Sequence, residues 1–434
     1  MNYEEAVAWI DSFHQHGIKL GLKQIKQVLQ LVDNPHQKIK VIHVAGTNGK
    51  GSVCRFMSSI LRCEGYKTGL YLSPHLIDFR ERFQLNDTFI SKDGLVEIVK
   101  QLKPVVNEFI SKGGQLTYFE LCTIIAFVFF SNEKVDYAVI EVGLGGRYDA
   151  TNVVEPLVSV ITNVSLDHQK HLGDSIQDIA HEKAGIIKSE VPVVTGAEGL
   201  ALSVIQKKCE SLQVQLSIVS NDMIETISSV TEQQILFHGF FNDYEVHTHQ
   251  LGLYQPINIA VSITSIEILQ QQGVYITKES IITGIEQMNH PGRMQVLTHH
   301  PYIIVDGAHN SEAMKLAVKS IITLFPSKKI IIIFGVMKDK DIKNILDELV
   351  PIANRIIVTE PKQERSAKSE KIAEIIFQIN RSIKIIQTTS VNEALEKALE
   401  IAHKDDVIFG TGSLFTVGEL IQNIEEKKDL NSIG

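Results

Sequence analysis

A chain of 434 residues is long for one hydrophobic core, so two or three domains are expected. Its 44% hydrophobic and 21% charged residues are ordinary for a globular protein, and a net charge of −9 excludes a general nucleic-acid binder, which carries a basic face. It does not exclude an anionic small molecule, because a basic pocket persists inside a mildly acidic surface.

In chain order, Met1–Trp9 places Glu4 and Glu5 where a secretion signal carries basic residues. Tyr3–Val32 has helical spacing broken at Gly17 and Gly21. Lys40–Ala45 reads as a strand entering a glycine-rich loop, and Ser52–Cys63 as the helix after it, with Val53, Phe56, Met57, Ile60 and Leu61 on one face. Strand, loop and helix in that order open an α/β domain with a parallel sheet. The longest apolar run, Leu121–Phe130, is too short to span a bilayer. Tyr137–Val142 and Val158–Ile161 read as buried strands, each running into a polar loop. From Tyr302 a second alternation begins, with strands expected at Ile303–Val305, Ile330–Phe334, Arg355–Val358, Ile383–Ile386 and Val407–Phe409. The turn signal Pro291-Gly292 puts the boundary near 296, giving domains 1–295 and 296–434. The four cysteines (Cys54, Cys63, Cys122, Cys209) show no metal-like spacing, the usage of a reducing compartment. A cytoplasmic location without membrane or nucleic-acid partners is expected.

The loop Ala45-Gly46-Thr47-Asn48-Gly49-Lys50-Gly51-Ser52 has the small residues that let main-chain N–H groups wrap phosphate, next to the positive end of a helix. Lys50 would meet the β/γ-phosphates and Ser52 the metal or helix start. Its spacing departs from the common G-x-x-x-x-G-K-[ST], since Val44 stands six residues before Lys50 and Gly51 intervenes before Ser52. Glu141 ends its strand beside a second glycine loop, a position that suits a Mg²⁺ carboxylate; an ordinary strand-end glutamate is the plainer alternative. Asp174-Ser-Ile-Gln177 has the form of a capping box. The helix after it sets Lys183 on one face with Ile176, Ile179 and Ala180, where a lysine either snorkels or loses basicity through desolvation. Asp306-Gly-Ala-His309-Asn310 follows a strand, where open sheets place ligand residues, or else forms a local Asx turn.

The string Ile42–Val53 (IHVAGTNGKGSV) resembles the folylpolyglutamate and dihydrofolate synthases of the Mur-ligase superfamily. The resemblance runs on through Tyr71–Leu76 (YLSPHL), Thr117–Glu120 (TYFE) and Glu141–Asn152 (EVGLGGRYDATN). Leu166–His168 (LDH), Glu182–Lys188 (EKAGIIK), Pro291–Arg293 (PGR), Asp306–Asn310 (DGAHN) and Gly412–Phe415 (GSLF) follow in the same order. It implies a large P-loop-type ATPase domain with a parallel-core sheet and a smaller C-terminal Rossmann-like glutamate ligase domain. It also implies an ATP- and Mg²⁺-dependent amide ligase that adds L-glutamate to a folate, with dihydropteroate open as a further acceptor and a monomer as the expected state.

By the same resemblance, Gly46, Thr47, Asn48, Gly49, Lys50, Gly51 and Ser52 hold ATP together with Asn258, Arg293 and Asp306. Ser73, Glu141 and His168 are the Mg²⁺ ligands, and Lys183, carbamylated, supports the metal. Lys50, Lys183 and His309 are the catalytic set. Pro74, His75, Thr117, Phe119 and Asp149 belong to the substrate region, where Phe119 stacks on the pterin or sits in the core, and Arg80 or Arg82 meets the glutamate tail. One departure stands out: the family's His-Gln-x-x-Asn-Ala is here Tyr254-Gln255-Pro256-Ile257-Asn258-Ile259. A peptidoglycan-precursor ligase shares the glycine loop, and a nucleotide-binding protein without ligase activity is the reading from another class.

Overall fold

The computed structural model describes residues 1–17 and 21–432 and divides into two compact units. The first contains 1–226, 234–247 and 256–288; the second contains 227–233, 248–255 and 289–434.

The first unit is built on an eight-stranded sheet in the order β4-β3-β2-β5-β1-β6-β7-β8. Its strands are β1 (Val41–Ala45), β2 (Thr68–Tyr71), β3 (Phe83–Leu85), β4 (Thr88–Phe89), β5 (Tyr137–Glu141), β6 (Val158–Ile161), β7 (Val193–Thr195) and β8 (Leu216–Ile218). From β2 to β8 every pairing is parallel, while β3 and β4 form an antiparallel edge. Strands β1, β5 and β6 are buried at every position, as a sheet covered on both faces requires.

The helix Tyr118–Asn132 lies in the core over its whole apolar run, opened by a capping box between Thr117 and Glu120. A small three-stranded sheet, β9 (Ile224–Ser228), β10 (Gln233–His238) and β11 (Asp243–Thr248), runs in the order β11-β10-β9. Its Ile235, Phe237, Tyr244 and Val246 join the core that covers β1 and β6.

The helix behind the glycine loop begins at Lys50, two residues earlier than the expected Ser52, because Gly49 at φ 81° turns the chain directly into it. The cap of the helix Ile176–Lys183 is also displaced by one residue: Ser175 and Asp178 form the reciprocal box, not Asp174 and Gln177.

The second unit carries β12 (Gln295–His299), β13 (Tyr302–Asp306), β14 (Ile330–Phe334), β15 (Arg355–Val358), β16 (Lys384–Gln387) and β17 (Val407–Thr411). They run in the order β12-β13-β17-β14-β15-β16, all parallel except the β12–β13 pair. This unit takes in residues 289–295 as well, because Gln295 pairs with Val305 and Gly307 donates its N–H to the Gly292 carbonyl. No described helix is long and apolar enough to cross a membrane.

The glycine-loop helix Lys50–Cys63 is backed by the helix Lys278–Gln287, and the contact is close at Gly284. A Cβ there would stand 2.5 Å from the Ile60 Cα and 2.7 Å from its nitrogen. Gly284→Val should therefore lower stability by about 3 kcal/mol, as overpacking against main chain does. An unchanged urea midpoint would show that the two helices have room to spare.

Candidate active site

In the first unit, three loops leave the C-terminal ends of adjacent parallel strands, and each contributes. The loop after β1 is the glycine loop. It is braced by the loop after β6: Thr162 Oγ1 and Asn163 Nδ2 donate to the Asn48 carbonyl at 2.6 and 3.0 Å. Asn163 Oδ1 accepts from the Asn48 N–H at 2.9 Å, and Ser165 exchanges two bonds with Thr47. Two glycines in it are obligatory. A Cβ on Gly46 (φ 150°) would lie 1.9 Å from Thr162 Oγ1, and one on Gly49 would lie 2.3 Å from Asn258 Oδ1. Asn258, buried in the helix Gln255–Gln271, is thereby set directly against the glycine loop.

Two lysines meet at one carbonyl in this loop. Lys50 donates to the Gly46 oxygen at 3.0 Å and to the Thr47 oxygen at 3.1 Å; Lys183 donates to the same Gly46 oxygen at 2.8 Å. Lys183 is 3% exposed. Burial, reinforced by the charge of Lys50, lowers its ammonium pKa to about 7, so near neutrality much of it is free amine.

The loop after β5 starts at Glu141, which is buried and accepts the Ser73 N–H at 2.8 Å. Among the described residues no group of three or more His, Cys, Asp or Glu side chains is arranged for a metal ion. A Mg²⁺ site here would draw on Glu141 and the Ser73 hydroxyl, and both are hard oxygen donors that fit it. His168 is exposed at φ 50° beside Asp167, and an imidazole matches Mg²⁺ less well.

The expected substrate residues divide. Arg82 is buried and donates from Nε to His75 Nδ1 at 3.0 Å; burial and this arginine lower the His75 pKa to about 4, so the ring is neutral. The Arg82 guanidinium also lies over the rings of Phe79 and Tyr118. Arg80 is instead engaged by Asp78, with Nη2 to Oδ2 at 2.7 Å. Pro74 is exposed. Phe119 is half-buried, packed against the core, and its ring lies on Gly143, where a Cβ would be 2.4 Å from Cζ. Thr117 uses its hydroxyl to cap its helix. Asp149 is buried, accepting from Leu144 N, Thr151 N and the Thr151 hydroxyl, and so shapes the glycine loop after Glu141.

In the second unit, Asp306 ends β13 and is buried. Its Oδ2 accepts from the Tyr254 hydroxyl at 2.5 Å and Met294 N at 2.9 Å, and its Oδ1 from Ala308 N at 2.8 Å. Burial raises its pKa, against the pull of Arg293 and these donors. His309 holds its Nδ1 on the Gly307 carbonyl at 2.8 Å. Arg293 lines a cavity of about 320 Å³ with His249, Gln250, His290, Gln295 and His299, and no Asp or Glu is among its described lining residues.

Thr162, Asn163 and Ser165 were not foreseen as parts of the site. The signal was available: a polar run at the end of a buried strand.

Residues 44–266 match the Mur ligase middle domain and residues 292–414 the Mur ligase, glutamate ligase domain. The chain is 33% identical to the dihydrofolate synthase/folylpolyglutamate synthase of Bacillus subtilis, over 98% of this chain and 99% of that one. The structure of a Thermotoga maritima folylpolyglutamate synthase, 33% identical, superposes with a TM-score of 0.83 over 98% of this chain and 96% of that one. A Mycobacterium tuberculosis folylpolyglutamate synthase complexed with ADP, 25% identical, gives 0.91 over 98% and 99%. This chain belongs to the folylpolyglutamate synthase/dihydrofolate synthase family within the Mur ligase superfamily.

The Lys183 amine yields a pH test. Its folded pKa of about 7 lies below the unfolded value of about 10.4. Between these values the unfolded chain binds more protons, so stability should rise with pH by about 1.4 kcal/mol per unit and level off below 7. In CO₂-depleted buffer, urea midpoints from pH 7 to 9 should rise in the parent relative to Lys183→Met. Parallel curves would mean that Lys183 is not desolvated.

Proposed function

We propose that this protein is an ATP-dependent amide ligase that joins L-glutamate to the carboxylate of a reduced folate, with dihydropteroate as a second acceptor. The observation that carries the reading is the meeting of Lys50 and buried Lys183 on the Gly46 carbonyl, at the mouth of the glycine loop.

In this reading the acceptor carboxylate attacks the γ-phosphorus of ATP and ADP departs. The glutamate amine then attacks the carbonyl carbon of the acyl phosphate, phosphate leaves, and an amide remains. Lys50 neutralises the charge that builds on the transferring phosphoryl group, and the loop N–H groups hold the other phosphate oxygens. Asn258, Arg293 and Asp306 bind the nucleotide, and His309 meets phosphate. Ser73 and Glu141, with His168, would hold Mg²⁺, which when bound would supply further neutralisation of phosphate charge. The free amine of Lys183 would add to the carbon of CO₂ and release one proton to solvent; the resulting carbamate would bring an anionic oxygen pair where an ammonium would repel a metal. His75, Arg82 and Phe119 hold the acceptor. Arg82 is preferred over Arg80 for a substrate carboxylate, because Asp78 already neutralises Arg80. Four free cysteines support a reducing, cytoplasmic setting, and we expect a monomer.

ADP release by the purified protein should require both glutamate and a reduced folate. Equal release without the folate would count against a ligase, and efficient use of a UDP-muramoyl acceptor would move the assignment to peptidoglycan precursors. Lys50→Ala should abolish turnover with an unchanged melting curve, a loss of several kcal/mol in transition-state stabilisation.

Lys183→Ala should also be inactive and partly rescued by acetate, whereas Lys183→Arg should not be rescued. A fully active Lys183→Ala would remove the carbamate from the mechanism and leave the ligase standing.

A further inference from the structure

Residues Ser73–Asp78 form the loop that leaves β2, and its main chain is held by carboxylates at both ends. At the start, Ser73 N donates to Glu141 Oε2 at 2.8 Å. At the far end, one side chain takes three successive N–H groups: Glu81 accepts from Leu76 at 2.7 Å, Ile77 at 2.8 Å and Asp78 at 2.7 Å. The Asp78 bond is the ordinary half of a capping box for the short turn Phe79–Arg82. The bonds to Leu76 and Ile77 lie outside that turn, and a cap has no need of them.

These are charge-assisted bonds at short distances, with both carboxylate oxygens used. Among the described residues no ion pair to Glu81 is formed at contact distance; its two oxygens are taken by the three loop amides, and the buried Arg55 guanidinium acts on its charge from farther off. The next residue, Arg82, takes the loop's only imidazole, His75, through its Nε. Two adjacent side chains therefore fix the loop's main chain and its histidine.

We propose that Glu81 is a positioning residue that sets the acceptor-binding conformation of the Ser73–Asp78 loop and thereby controls affinity for the acceptor separately from affinity for ATP. The inference rests on the reading that His75 and Arg82 hold the acceptor. Glutamine at 81 has a single accepting oxygen, and its amide N–H₂ would face a loop N–H, so at least one of the three bonds is replaced by a repulsion. Aspartate keeps the charge and shortens the reach by one methylene.

The test is steady-state kinetics of Glu81→Gln, Glu81→Asp and His75→Ala, with the KM for the reduced folate and for ATP measured separately, beside melting curves. Glu81→Gln should raise the acceptor KM about tenfold or more and Glu81→Asp by a smaller factor, with the ATP KM within twofold of the parent in both. A purely structural role would lower the melting temperature and shift both KM values, or neither. If Glu81→Gln does not fold, the split in Glu81→Asp decides. An unchanged acceptor KM or an equal rise in both constants overturns the proposal. His75→Ala separates the two ideas. An unchanged acceptor KM in that variant means the loop does not hold the acceptor. A raised value there, with Glu81 variants unaffected, removes Glu81 alone.

Discussion

Parallel pairing of β1 with β5 on one side and β6 on the other places three strand ends next to one another. Neighbouring strands run about 4.8 Å apart, so groups just past those ends fall within reach of a single small ligand. The glycine loop, Glu141 and the Thr162–Ser165 brace are brought together by this register. A slip of one residue in β5 would turn Glu141 to the other face of the sheet. Burial on both faces of these strands is what holds the register.

Within that frame, polar groups are fixed by main chain more than by one another. The Gly46 carbonyl accepts from the Nζ groups of two lysines, the Asn48 carbonyl collects Thr162 and Asn163, and Asp306 is held by Tyr254 and two backbone amides. Such arrangements are pre-formed, and the oriented amides and carbonyls need little reorganisation when charge moves nearby. Tyr254 stands where the family's string has histidine; its hydroxyl supplies a donor to a buried carboxylate that burial alone would drive toward protonation.

How much of this could be read in advance differs by residue. The strand–glycine–lysine–helix unit and the place of Lys183 on an apolar helix face follow from local pattern; that the lysine is buried and does not snorkel is set by the fold around it. What that lysine touches could not be read, because Gly46 is 137 residues away and the contact depends on strand order. Arg80 and Arg82, two residues apart, have different surroundings: one is drawn to Asp78, the other buried over aromatic rings, and no periodicity separates them within a single short turn. Thr117 carried its own signal: a threonine three residues before a glutamate ahead of an apolar run is a helix start.

The glycine loop is confined from outside as well as from within. Thr162 fills the space a side chain at 46 would need, and Asn258 fills that at 49. Each glycine is therefore tied to a partner far away in the chain, 162 for 46 and 258 for 49. Both glycines also sit at positive φ, so a smaller residue at 162 or 258 would clear the space and leave the backbone strain in place. Among descendants of this sequence, positions 46 and 49 should stay glycine even where 162 or 258 changes.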